Sequence, residues 1–125
     1  MHKVVFNNCY GGFSISMKAV DWLEHNSKDE ALLEHIKNCK EDRLHSISAY
    51  RDQMFCYSVS EFFDCNRHHK DLVAVVEALG NEANGESAYL GIAKIYGNQY
   101  RIDEYDGAES VITPEDGEQW VLIED

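Results

Sequence analysis

The apolar pattern of this chain changes period at Asn84-Gly85. Before that turn signal, Leu72, Val73, Val75, Val76 and Leu79 recur at the spacing of one helical face, and Gly80 stands where a glycine ends a helix. After it, residues 89–95 and 99–105 read as two strands joined through Tyr96-Gly97-Asn98 as a hairpin. The change from helical to strand patterning predicts an α+β fold. The helix over 71–79 is expected to lay its Leu72, Val75, Val76 and Leu79 face on a sheet containing both strands.

Upstream, residues 3–6 form a short β-rich run followed by Asn7-Asn8 and Gly11-Gly12, a first strand and a loop. Ser16 is suited to cap a helix over 17–25, whose apolar residues are Ala19, Val20 and Leu23 with Trp22 beside them. Ser27 and Glu30 have the spacing of a capping box ahead of Leu32, Leu33, Ile36 and Cys39, which share one helical face. Residues 44–64 are the hardest to assign. Met54 to Val59 and Phe62-Phe63 have strand composition, interrupted by Glu61 and Asp64. Asp106-Gly107 closes the strand over 99–105, and residues 120–123 read as a last strand. With 125 residues, 44% of them hydrophobic, and no repeat or linker, the expectation is one α+β domain over 1–125. It should be mainly antiparallel sheet with about three helices.

Charge is unevenly placed. Residues 81–125 hold eleven carboxylates against Lys94 and Arg101, while the first 80 hold twelve acids and nine bases, so most of the net charge of −12 sits in the C-terminal third. Such a field repels nucleic acid and anionic membranes and attracts basic protein grooves. The start of the chain turns polar at Asn7 too early for a signal peptide, and no apolar run is long enough for a membrane span. A cytoplasmic protein is expected, with Cys9, Cys39, Cys56 and Cys65 reduced.

The run Lys3-Val4-Val5-Phe6-Asn7-Asn8-Cys9-Tyr10-Gly11-Gly12-Phe13-Ser14-Ile15-Ser16 resembles the opening of an uncharacterised family of small phage and prophage proteins, typically K-V-V-[IF]-N-x-C-Y-G-G-F-x-[IL]-S. The resemblance continues at residues 71–80, at Ala83-Asn84-Gly85, at Tyr100-x-Ile102-x-Glu104-Tyr105-Asp106-Gly107 and at Trp120. Residues 26–64 depart most, and Lys70 stands near a position where members often carry proline. The resemblance implies a phage setting and a single domain, and it transfers no catalytic residue.

Three constellations could carry chemistry. Cys9-Tyr10-Gly11-Gly12-Phe13, between a strand and a helix, could hold a phosphate or activate a thiol. It lacks the arginine of a phosphatase loop and the lysine of a P-loop, so a tight turn with a buried small Cys9 is the simpler reading. Cys65-x-x-His68 supplies one pair of a zinc site, but Cys39, His45 and Cys56 are scattered and give no second pair. The stretch from Cys65 to His69 then reads as an exposed, partly basic helix start. Asp103, Glu104, Asp106 and Glu109 lack the alternation of a calcium loop and read as a solvated hairpin end. Tyr10, Phe13, Trp22, Tyr57, Phe62 and Phe63 could stack bases but lie in an acidic chain, which favours core positions for them. No metal and no cofactor are expected.

The expected function is non-enzymatic. A small acidic accessory protein would bind a basic, nucleic-acid-handling host complex, such as a CRISPR effector, with its carboxylates standing in for phosphates. Glu104, Asp106, Glu109, Glu115, Asp116 and Glu118 are the candidate contacts. The alternatives are a nucleotide or small-molecule binder using Gly11-Gly12, and an enzyme dependent on Cys9. Acidity that serves only solubility is the competing explanation of the charge.

Overall fold

In the computed structural model, which describes residues 1–114, the elements run β1 (His2–Asn7), α1 (Met17–Asn26), α2 (Glu30–His45), α3 (Arg51–Ser60), a 3-10 turn (Glu61–Phe63), α4 (Lys70–Leu79), a second 3-10 turn (Gly80–Ala83), β2 (Leu90–Ile95), β3 (Arg101–Tyr105) and β4 (Ala108–Ile112). This is the α+β class read from the sequence, with four α-helices in place of about three. The strand expected over 120–123 lies outside the described residues.

Three of the four helices, α1, α2 and α4, begin where a side chain takes an orphan backbone N–H, whereas α3 starts after Tyr50 without one. Ser16 Oγ accepts from Ala19 N at 3.1 Å and opens α1, which buries Ala19, Val20 and Leu23. Asp29, not Ser27, caps α2: its Oδ1 accepts from Ala31 N and Leu32 N, and Leu32, Ile36 and Cys39 face the core. Ser27 instead ends α1, and its hydroxyl donates to Asp71 Oδ2 at 2.7 Å. The expected capping box is therefore absent, because the helix starts behind Asp29, and Ser27 Oγ accepts from Asp29 N at 3.1 Å instead of from Glu30 N. His69 caps α4 through Nδ1, which accepts from Asp71 N, and Gly80 ends that helix at φ 57°.

The segment read as strand, residues 54–59, is helix. Phe55, Cys56, Val59, Ser60 and Phe63 are buried at spacings of one, three and four, the repeat of a helical face continued into the 3-10 turn. Its aromatic and β-branched composition gave the opposite reading, and burial against α2 overrides that propensity.

The strands pair differently from the expected hairpin. β2 lies antiparallel to β1, from His2 opposite Ile95 to Asn7 opposite Leu90. β3 pairs with β4, a strand the sequence left unmarked, across a two-residue turn in which Asp106 has φ 50° and Gly107 φ 90°. Two successive positive φ values match the right-handed twist of a tight hairpin, which Tyr96-Gly97-Asn98 does not supply. Accordingly α4 packs on β1 and β2, rather than on a sheet that includes β3.

One apolar core joins these parts. Phe63, Ile15, Leu23, Leu32, Ile36, Leu72, Val20, Val59 and Val75 are fully buried in it, and Val5 reaches it from β1. Removing one such side chain, for example Leu23→Ala, costs about 2–5 kcal/mol. The N–H groups of β1 that point away from β2 do not go to a third strand. Val5 N donates to the Arg67 carbonyl at 2.8 Å, and Asn7 N donates to Glu109 Oε1 at 2.8 Å. A loop carbonyl and a carboxylate thus cover that edge.

Candidate functional site

The carboxamide of Asn7, at the end of β1, is fully buried and fastens three loops. Its Oδ1 accepts from Tyr89 N at 2.8 Å, and its Nδ2 donates to Cys9 O at 2.9 Å and to Gly107 O at 2.8 Å. Loop 8–13, turn 85–89 and turn 105–108 therefore meet at one end of the molecule. The glycines permit the approach. A Cβ on Gly11 would overlap the Ser87 carbonyl, and one on Gly107 would lie 2.5 Å from Gly12 N. The Gly11 side of the loop is occupied by backbone, which answers the reading of Cys9-Gly12 as a tight turn. Cys9 is half-buried, and its Sγ donates to Ser87 O at 3.0 Å.

Beneath this junction lies a buried ion pair. Arg67 and Glu109 are 5% and 9% exposed, and the guanidinium donates through Nη1 to Oε1 at 2.5 Å and through Nη2 to Oε2 at 2.9 Å. Arg67 Nε donates to Phe63 O, and its Cζ sits 3.7 Å from the centre of the Phe13 ring. The expected surface contact Glu109 is thus an interior residue. It is drawn in by the cation and by the outward N–H of Asn7. Likewise the 65–69 stretch is no exposed basic helix start: Arg67 and His69 are both buried.

The other expected contacts fall in two places. Glu104 and Asp106 are exposed at the tip of the β3–β4 hairpin, where Glu104 Oε1 accepts from Gly107 N at 2.8 Å. Glu115, Asp116 and Glu118 lie outside the described residues. The converging loops also expose Tyr10, from the alternative ligand loop, beside Tyr89, Tyr105 and Glu86, which the sequence did not select. Tyr10 is 72% exposed, Tyr105 73% and Tyr89 53%, and Glu86 is exposed between them in sequence. No lysine or arginine occurs within these three loops. Of the aromatics expected in the core, Tyr10 is the one that stands in solvent.

A second polar cluster surrounds α4. His69 Nδ1 accepts from backbone, so its Nε2 carries the proton and donates to Asp29 Oδ2 at 2.7 Å. That bond, with the N–H groups of Leu32 and Ala31, holds the Asp29 carboxyl below its ordinary value of 3.8. Burial pushes the Asp64 carboxyl up, against the lowering effect of nearby Arg67. Burial also raises the Tyr100 phenol, whose oxygen accepts from Arg67 N at 3.2 Å and lies 2.7 Å from His68 Nδ1. Cys65 is exposed nearby, and among the described residues no three His, Cys, Asp or Glu side chains gather as a metal site would need.

No protein-family model, no curated protein and no solved structure matches this chain.

Proposed function

We propose that this protein is a non-enzymatic accessory protein that docks a basic, nucleic-acid-handling protein on its acidic, tyrosine-bearing end. The observation that carries the reading is the convergence of three loops on Asn7, which presents Tyr10, Tyr89 and Tyr105 together with Glu86, Glu104 and Asp106 and without a cation. Tyrosine supplies rigid contact area at little entropic cost and is enriched at binding hot spots. The carboxylates steer a basic partner and repel nucleic acid itself. Fixing the loops before binding lowers the ordering cost on association. The phage-like opening run suggests a host defence complex as the partner. An enzyme built on Cys9 has less support, because the Sγ hydrogen bonds go to a carbonyl and an amide oxygen, neither of them a general base.

The test is capture of host proteins at low salt by the wild type and by a variant carrying Tyr10→Ala, Tyr105→Ala, Glu104→Lys and Asp106→Lys. The wild type should retain a basic nucleic-acid-binding complex, and retention should fall steeply as salt shortens the screening length from about 10 Å at 0.1 M to about 3 Å at 1 M. A folded variant that captures the same complex equally well would sink the proposal.

A further inference from the structure

Beside that junction, a cleft of about 220 Å3 opens between the start of α1, the side of α3 and the turn at 84–86. A dry cavity of about 150 Å3 holds benzene, so this one has room for a one- or two-ring heterocycle. Ser14 lines it. That residue is 1% exposed, and its Oγ has no hydrogen-bond partner among the described residues. A buried hydroxyl without a partner is costly, and such groups usually have a reason. The backbone around Ser14 is held in place. The Ser14 carbonyl accepts from Gly85 N at 3.0 Å, its neighbour Ser16 N donates to Ala83 O, and its Oγ lies against Gly85 where a Cβ would be.

The remaining walls define what could satisfy it. Asn84 uses Oδ1 to accept from Leu90 N at 2.8 Å, which leaves its amide hydrogens for a ligand. Gln53, half-buried, brings a second carboxamide without a hydrogen bond among the described residues. Paired donors and acceptors of this kind read the edge of a nitrogen heterocycle. Tyr57 and Cys56 supply soft, polarisable surface, and burial pushes the Cys56 thiol up to about 11, so that wall is uncharged at neutral pH. No lysine or arginine lines the cleft, whereas Glu86 and Asp52 do, and Asp52 is already engaged by Arg43 at 2.8 Å. The rim therefore disfavours phosphate and favours an amino group.

We propose that this cleft binds an amino-bearing nitrogen heterocycle that carries no phosphate, a nucleobase or its nucleoside, with Ser14 Oγ, Gln53 and the Asn84 amide as its polar contacts. The cleft shares Gly85 and Glu86 with the turn that reaches the docking end, but the three contacts proposed for the ligand, Ser14, Gln53 and Asn84, are not docking residues, so either reading can fail alone.

The test is a titration of isotope-labelled protein, followed by amide chemical shifts, with adenine, cytosine, adenosine, AMP, thymine, putrescine and inorganic phosphate as probes. Adenine or cytosine should saturate shifts centred on Ser14, Gln53 and Gly85. Thymine, which has no exocyclic amine, should bind more weakly, and AMP should bind about tenfold or more weakly than adenosine. Ser14→Ala should weaken binding about five- to tenfold, the scale of one lost hydrogen bond. Its melting temperature should hold or rise, because the orphan hydroxyl is gone. Gln53→Leu should weaken binding without unfolding the protein. The proposal is overturned if no amino heterocycle saturates the site, if AMP, phosphate or putrescine binds as well as adenosine, or if both variants keep wild-type affinity.

Discussion

Asn7 and Gly107 are one hundred positions apart, and the Asn7 side-chain amide donates to the Gly107 carbonyl at 2.8 Å. Two residues further along, Glu109 accepts from the Asn7 backbone at 2.8 Å. The first strand and the last described hairpin are therefore joined by a buried polar network rather than by a ladder. Networks of this kind are stabilising only while every member is satisfied. The geometry of the tyrosine-bearing end depends on that condition.

Removing one member of the Arg67–Glu109 pair should be severe. Glu109→Gln keeps an acceptor for Asn7 N but leaves the buried guanidinium without its counter-charge, and a loss of about 3–5 kcal/mol is expected. Arg67→Met combined with Glu109→Leu should cost less than the two single changes together, since neither charge is then stranded. It should not be neutral, because Asn7 N loses its acceptor. Urea unfolding of the wild type, Glu109→Gln, Arg67→Met, Glu109→Leu and the double variant decides this. A loss below about 1 kcal/mol for Glu109→Gln would show that the pair is solvated in solution.

Stability should respond to acid in two opposite steps. Asp64 is raised above 3.8 in the folded protein, so its contribution is present below the unfolded value and is lost as pH rises through the folded one. Asp29 is lowered, so its contribution is present above 3.8 and is lost as pH falls through the folded value. On acidification the protonation of Asp64 favours the fold first, and the loss of the Asp29–His69 bond follows below 3.8. Asp64→Asn should flatten the upper step and Asp29→Asn the lower one in urea midpoints measured against pH. If Asp29→Asn retains the wild-type loss below 3.8, Asp29 is not its source.

Gly12 and Gly107 have nearly the same backbone, φ 91° and 90°, but opposite surroundings. A Cβ at Gly12 meets nothing within 4 Å, whereas one at Gly107 meets Gly12 N at 2.5 Å and Tyr10 O at 2.7 Å. Gly12→Ala should cost only the strain of a left-handed alanine, about 1–2 kcal/mol. Gly107→Ala should cost more and should also speed amide exchange in loop 8–13. Equal costs for the two would mean that the loops do not touch in solution.

How much of this was legible follows from what each pattern reports. Leu72 to Leu79 and Ala19 to Leu23 announce helices because their buried residues repeat on one face. Residues 54–59 carry the same repeat, but Phe55, Tyr57 and Val59 also favour strands, and only contact with α2 decides between them. Asp106-Gly107 is readable as a turn. That it joins β3 to β4 depends on Glu109 being drawn inward by Arg67, a residue forty-two positions away. No local pattern reports such a distant partner. For the same reason Glu109 reads as surface charge and Arg67 as an exposed base, although each is buried by the other. Tyr10 stands in a loop the sequence marks, but Tyr89 and Tyr105 read as ordinary strand aromatics until Asn7 brings the loops together.

The pairing of β1 with β2 has a consequence for synthesis on the ribosome. The partners of His2 to Asn7 run from Leu90 to Ile95, and the acceptor of Asn7 N is Glu109. Translation therefore delivers the helices 17–79 while the first strand still has no strand to pair with. Until about eight-tenths of the described chain has emerged, Val4 and Val5 are apolar residues with no strand beside them. A nascent chain stalled before residue 90 should thus be held by chaperones that capture apolar extended segments, and one released past residue 109 should escape them.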